Sequence, residues 1–228
     1  MRLDKFICKS TELSRADAIK WLSEGNVSVN AEVVTDAATQ VHENNHITLN
    51  GKLLTARASR YIMMHKPLNT ICSNADQVYP SLLHLVDVDK AFDLHIAGRL
   101  DADTTGLVLI TDDGRWSYNI ITPKQQCKKV YRVGLRNAIA ADIASRFEQG
   151  VQLQGEKALT LPATLEIISD KEVLLTITEG KHHQVKRMFA AVGNRVVSLH
   201  REKIGDVSLN IAPGTWRYLS TDEIQCFQ

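Results

Sequence analysis

Residues 107–111, LVLIT, form an unbroken apolar run between GRLDADTTG (98–106) and DDG (112–114). A short apolar run bounded by turn residues reads as a buried strand. A core must therefore be assembled around it, and 228 residues at 44% hydrophobic suffice for one large domain or two modest ones. Downstream, Asp112 and Asp113 read as loop punctuation, with Gly114 free to take a positive φ. Upstream, the glycines at each edge and the short polar side chains of Thr104 and Thr105 favour a tight, internally bonded loop. Such a loop can hold one carboxylate in fixed geometry at the lip of the strand. On spacing alone, Asp101 is as readily structural as catalytic.

The first 50 residues read differently. Ser14 with Asp17 three residues on is a weak capping box, Ala18, Ile19 and Leu22 follow at helical spacing, and Gly25 ends the helix. NVSVNAEVV carries alternating valines with a turn at Asn30-Ala31, and HITLNG is another short strand. Residues 51–60, GKLLTARASR, read as a linker. Beyond it RYIMMHKP is a strand that ends before Pro67. AIAADIASRFEQG (138–150) and HQVKRMFAAVG (183–193) are helices; EVLLTITEG and the start of RVVSLHREKIG are strands.

Charge is uneven beneath a net of +1. Residues 124–136 carry five bases and no acid, and residues 180–203 carry six bases and one acid, together 11 of the 27 basic residues. Clustered cations neutralise phosphates whatever the total, so a nucleic-acid partner is compatible with the near-neutral sum. The cysteines at 8, 72, 127 and 226 make no Cys-x-x-Cys clip, and adjacent His182 and His183 would point to opposite faces of a strand. No metal and no cofactor are expected. The opening MRLDKFICKS lacks the apolar core of a secretory leader, and no run is long enough to span a bilayer, so a cytoplasmic protein without membrane contact is expected.

Two resemblances carry the reading further. RLDKFI with LSRADAIKWLSEGNVSVN resembles the S4 RNA-binding module, which implies Arg2, Lys5, Arg15 and Lys20 as phosphate contacts. Residues 1–59 hold seven bases and seven acids, so that contact must come from one face. GRLDADTTGLVLITDDG is similar to the catalytic motif of pseudouridine synthases, and HKPLNTICS, KVYRV and EGKHHQVKRMFAAVGNRVVSLHREKIG resemble three further motifs of that family in the same order. Where the first of these usually has Lys-Pro-x-Gly, this chain has Asn69, a residue tolerant of left-handed geometry.

The resemblance implies an α+β protein. An S4-like RNA-binding domain would occupy residues 1–58, and a catalytic domain with a mixed, mostly antiparallel sheet flanked by helices residues 59–228. It implies Asp101 as the carboxylate at the ribose, Lys186 as the cation that keeps it ionised, and Tyr131 as the residue stacking on the base. It places Arg99, Leu199, Lys66, Gln184 and Arg187 at the substrate, and Lys128 and Lys129 on RNA phosphates. The activity implied is isomerisation of one uridine in small-subunit (16S) ribosomal RNA, the uridine-516 activity, by a monomer acting on a partly assembled subunit. The alternative is a non-catalytic RNA-binding assembly factor on the same fold.

Overall fold

The computed structural model describes residues 1–42 and 44–228. The chain packs as two compact units, Met1–Ser59 and Arg60–Gln228.

The first unit holds helices α1 (Leu3–Ser10) and α2 (Arg15–Ser23) and strands β1 (Val27–Val29), β2 (Glu32–Val33), β3 (Ile47–Leu49) and β4 (Lys52–Leu53). The strands pair antiparallel in the order β2-β1-β3-β4. The Ser14 hydroxyl accepts the Asp17 N–H and so caps α2. Asn30 and Ala31 have φ of 51° and 72°, the mirror-image turn that suits strand twist. Leu3, Phe6, Ile7, Leu22, Val27 and Ile47 close the core. Ile19, expected beside Ala18 and Leu22, is 42% exposed, because each helical residue turns about 100° and α2 buries only a narrow stripe. The expected linker also begins too early: Asn50-Gly51 close a second hairpin, and Lys52–Leu53 belong to this unit's sheet.

The second unit's strands are β5 (Tyr61–Lys66), β6 (His95–Ala97), β7 (Thr105–Thr111), β8 (Lys129–Leu135), β9 (Thr164–Ser169), β10 (Glu172–Ile177), β11 (Val196–Ile204), β12 (Val207–Ser208) and β13 (Trp216–Tyr218). Its helices are α3 (Gly114–Ile121), α4 (Ile143–Gln149), α5 (Gln184–Ala191) and α6 (Thr221–Gln225). The strands form one sheet in the order β13-β5-β7-β11-β8-β10-β9, with β6 on β7 and β12 on β11. The pairing of β7 with β11 is parallel and the others are antiparallel, so the fold is α+β with a mixed, mostly antiparallel sheet.

LVLIT lies within β7, whose alternate side chains enter two different cores. Val108 and Ile110 join Tyr131, Val133, Val185 and Phe189 on one side. Leu107 and Leu109 join Met63, Trp116, Ile120 and Phe227 on the other. This is why the run has no polar alternation. An open antiparallel sheet commonly leaves one face solvated. That pattern holds for β8 and β10, where buried and half-buried residues alternate, but β5 and β7 are covered on both faces.

Three local expectations also change. Gly114 opens α3 and is not among the positive-φ glycines; Asp113 caps that helix by accepting the N–H groups of Arg115 and Trp116. Asp112 accepts both the backbone N–H and the Nε of Arg60. Helix α4 starts at Ile143 and not near Ala138; ahead of it the Ile139 N–H donates to the Asp170 carbonyl at 2.7 Å.

Candidate active site

The loop 98–104 between β6 and β7 is held from several directions. Thr104 N–H donates to the Asp101 carbonyl at 3.1 Å, closing a turn, and Asn69 N–H donates to the Ala102 carbonyl at 2.9 Å. Asn69 has φ 60°, so it supplies the left-handed turn where a glycine is usual. The Leu100 N–H donates to the buried Cys72 sulfur at 3.2 Å. Lys66 is fully buried, and its ammonium donates to the carbonyls of Thr104 (2.7 Å), Pro67 (3.0 Å) and Ala102 (3.5 Å). Burial pushes its pKa below the ordinary lysine value. Expected at the substrate, Lys66 instead braces the loop from beneath.

The loop presents Asp101 to the first turn of α5. Asp101 Oδ2 accepts from Lys186 Nζ at 2.9 Å, and Oδ1 lies 3.4 Å from His183 Nε2. The Asp101 side chain is 31% exposed, so solvent and ligands reach it. Lys186 also donates to Asp103 Oδ1 at 2.6 Å. Burial lowers the pKa of that ammonium, but the bonds to Asp103 and Asp101 outweigh it and the net shift is upward. Asp103, 72% exposed, is held below the usual carboxylate range mainly by the Lys186 hydrogen bond. The cluster is therefore two carboxylates sharing one ammonium, with an imidazole against the inner one.

His182 and His183 do not diverge as in a strand. They precede α5 in a turn, His183 has φ 50°, and the rings stack with centroids 3.7 Å apart.

Tyr131 on β8 is 7% exposed and packs in the same core cluster as Leu199, which is 8% exposed. Its hydroxyl accepts from Arg201 Nη1 at 3.2 Å. Arg201, 2% exposed, also donates from Nη2 to the Gly98 carbonyl at 2.6 Å and from Nε to the Leu107 carbonyl at 2.8 Å. The register explains this. Strand β11 pairs with β7 as far as Gly106, and β6 pairs with it from Leu109 on. Leu107 falls in the gap, and the guanidinium serves the carbonyl that neither neighbour's backbone reaches. Arg201 thus ties Tyr131 to the start of the loop carrying Asp101. It was not singled out from the sequence. Its one signal is spacing: it lies two residues after Leu199 on a strand, hence on the same face.

Arg99 is exposed two residues before Asp101, but in the loop and not in a strand. Gln184 and Arg187, also expected at the substrate, are engaged with other groups. Gln184 is buried, donating to Glu179 Oε1 at 2.7 Å and accepting the Lys181 N–H at 2.8 Å. Arg187 bonds Glu156 at 3.2 Å and the Gln154 carbonyl at 2.7 Å. Lys129 is buried with its ammonium on the Ile120 carbonyl at 2.7 Å, whereas Lys128 is exposed.

The two basic windows are thus less available than their counts suggest. Arg132 pairs with Glu202 and Glu172, Lys181 with Glu156, and Lys203 with Asp206. In the first unit, Arg2 and Arg15 both bond the fully buried Asp4, at 3.0 Å each. Their side chains remain 38% and 60% exposed. Burial lowers the Lys5 pKa, and Lys20 is exposed on α2.

This arrangement matches known proteins along its whole length. Residues 60–191 match the family described as RNA pseudouridylate synthase, and residues 1–47 match the S4 domain. The chain is 50% identical over 226 residues to ribosomal small subunit pseudouridine synthase A of Vibrio cholerae, with 98% of each chain covered. It is 48% identical over 227 residues to the protein of that name from Escherichia coli strain K12, again with 98% of each covered. A crystal structure of a pseudouridylate synthase superposes with a TM-score of 0.74 at 44% identity, covering 100% of both chains.

Proposed function

The chain belongs to the RNA pseudouridylate synthase family and carries an S4 domain, and from that premise we propose that it converts one uridine of small-subunit (16S) ribosomal RNA to pseudouridine. The position proposed is uridine-516. The setting proposed is a partly assembled subunit in the cytoplasm, met by a monomer. Among the described residues no helix is long and apolar enough to cross a membrane.

The reaction breaks the bond from N1 of uracil to C1′ of the ribose, turns the base, joins C5 to C1′ and releases the C5 proton. N1 keeps the electron pair of the broken bond and takes up a proton in place of the one C5 loses, so the net composition is unchanged and nothing else is consumed. Positive charge grows at C1′ as the first bond breaks, and a carboxylate beside it stabilises or captures that centre. Asp101 has that role. Lys186 at 2.9 Å is what supports it, because a charge-assisted hydrogen bond fixes where that carboxylate sits. Tyr131 and Leu199 line the apolar wall on which the base rests, and Arg201 orients the phenol that relays the C5 proton. Turning the target out of its stack costs a few kcal/mol, roughly, and less in a loop. Arg99, exposed beside Asp101, occupies the vacated space. Lys128, Lys20 and the exposed portions of Arg2 and Arg15 contact phosphates.

The observation that carries this reading is the Asp101–Lys186 pair at the open side of a braced loop. Its test is tritium release from C5-labelled uridine in small-subunit RNA, both free and protein-bound. Wild-type protein is expected to release tritium from one site and Asp101→Asn none. Release by Asp101→Asn at the wild-type rate would sink the assignment. A companion test, Arg99→Ala, is expected to slow single turnover on folded RNA more than on an unstructured fragment.

A further inference from the structure

We propose that Asp103 is a positioning residue for the reaction: it shares the Lys186 ammonium with Asp101, fixing where that cation sits and limiting how much of its charge falls on the reacting carboxylate. The inference rests on the reading of Asp101 given above.

Three observations carry it. First, the Lys186 ammonium donates to both carboxylates, and its contact with Asp103, at 2.6 Å, is shorter than the 2.9 Å contact with Asp101. Second, the loop is built to present the two acids together. Positions 101 and 103 flank Ala102, whose carbonyl is held by the Asn69 N–H and Lys66, and Thr104 closes the turn on Asp101. Both carboxylates therefore reach the first turn of α5 from one rigid segment. Third, their exposures differ, 31% for Asp101 and 72% for Asp103. The outer acid is too open to solvent to contribute much to stability as an ion pair, so its effect falls chiefly on the lysine it holds.

A lysine head moves on four rotatable bonds, and one anchor leaves it a cone of positions. Two anchors on a braced loop leave one. Electrostatics act in the same direction. An ammonium given wholly to Asp101 would neutralise the charge that must meet C1′; shared with Asp103, it leaves the inner carboxylate more of its negative charge. His183 at 3.4 Å from the other Asp101 oxygen completes the surroundings of that group. The arrangement has a cost. An exposed carboxylate at the mouth of an RNA site repels phosphates, so Asp103 weakens binding while it assists chemistry.

Asp103→Asn is therefore expected to change binding and chemistry in opposite directions. Single-turnover tritium release under saturating enzyme should fall by roughly tenfold, the effect of losing one charge-assisted bond in the transition state. Affinity for the same RNA at low salt should rise by about twofold or more, since a repulsive charge is gone. Asp103→Glu, whose longer carboxylate still reaches Lys186, should recover most of the rate and return affinity to the wild-type value. A rate for Asp103→Asn within twofold of wild type, a parallel loss of rate and affinity, or a failure of Asp103→Glu to recover the rate would each overturn the inference. Wild type and Asp101→Asn are run alongside. An active wild type with a dead Asp101→Asn and an unaltered Asp103→Asn removes only the role of Asp103. An inactive wild type removes the parent reading and this one with it.

Discussion

Arg201 donates to the Tyr131 hydroxyl at 3.2 Å while its other terminal nitrogen holds the Gly98 carbonyl at 2.6 Å, so one buried side chain joins the aromatic wall to the loop that carries Asp101. The Lys186 contact reaches that loop from α5. The carboxylate is thereby placed by two consecutive elements, α5 and β11, that both lie far from its loop in sequence.

Replacing Arg201 with Met keeps most of the volume and removes every donor. The carbonyls of Gly98 and Leu107 and the Tyr131 hydroxyl then lose a partner inside the core. Leaving such groups unsatisfied costs about 3 kcal/mol in total, and the slackened loop should lower the single-turnover rate by more than about tenfold. Urea unfolding and tritium release check the two parts separately. A variant as stable and as fast as wild type would remove the bracing role.

Gly106 faces Arg201 across the parallel pairing of β7 and β11. It has φ 114°, and a Cβ there would lie 2.3 Å from the Arg201 carbonyl oxygen and 2.5 Å from its nitrogen. Both clashes are with backbone, which cannot swing aside. Gly106→Ala should cost at least about 3 kcal/mol, read as a lowered urea midpoint. Gly51→Ala, where a Cβ meets nothing within 4 Å, pays only for its positive φ of 75° and should cost less.

Lys128 and Lys129 are neighbours with opposite fates, one exposed and one buried on the Ile120 carbonyl. Lys128→Ala is expected to weaken RNA binding and lower the salt slope by about one unit. Lys129→Ala should leave the slope unchanged and cost roughly 1–3 kcal/mol of stability, because the Ile120 carbonyl loses its donor. Equal effects of the two variants on the salt slope would contradict the assignment.

Acid stability provides a check at the other end of the chain. The Arg217 hydrogen bonds hold Glu223 down to about 2 from an ordinary 4.5, with the Ser220 N–H assisting through the capping box of α6. A depressed folded-state pKa means that the unfolded chain takes up the proton first. The stabilisation is therefore fully present above pH 4.5 and is lost as pH falls towards about 2. Glu223→Gln should cost about 1–2 kcal/mol at pH 7, after allowance for solvent screening, and that gap should close by the acid end of the window. A gap that does not change with pH would show that the charge is not responsible.

Much of this was readable in the residues. LVLIT without alternation reads as a buried strand, and β7 lies buried between two cores. Ser14 as a cap, the Asn30-Ala31 turn and the left-handed Asn69 are local matters of backbone and short side chains, and they follow from composition over a few positions. The order of four motifs pointed to Asp101, Tyr131 and Lys186 before any contact was known. Other features were not legible. Lys66 looked like a substrate contact and proved to be a buried brace; Lys129 looked like a phosphate contact and proved to be a core residue. The reading of Lys66 came from a motif and that of Lys129 from a count of charges, and neither says which way a strand turns its side chains.

The sequence by itself determined several elements, among them α2, β1, β5 and β7, and the loop that bears the acid, because periodicity, caps and turn residues act over a handful of neighbours. Only the tertiary structure decided what each long polar side chain holds. Lys186 meets two carboxylates more than eighty positions away, and Arg201 fills a gap in the sheet that exists only once β6 and β11 have both docked on β7. Such partners are set by which strands become neighbours. That is a property of the whole packed chain, and no local window contains it.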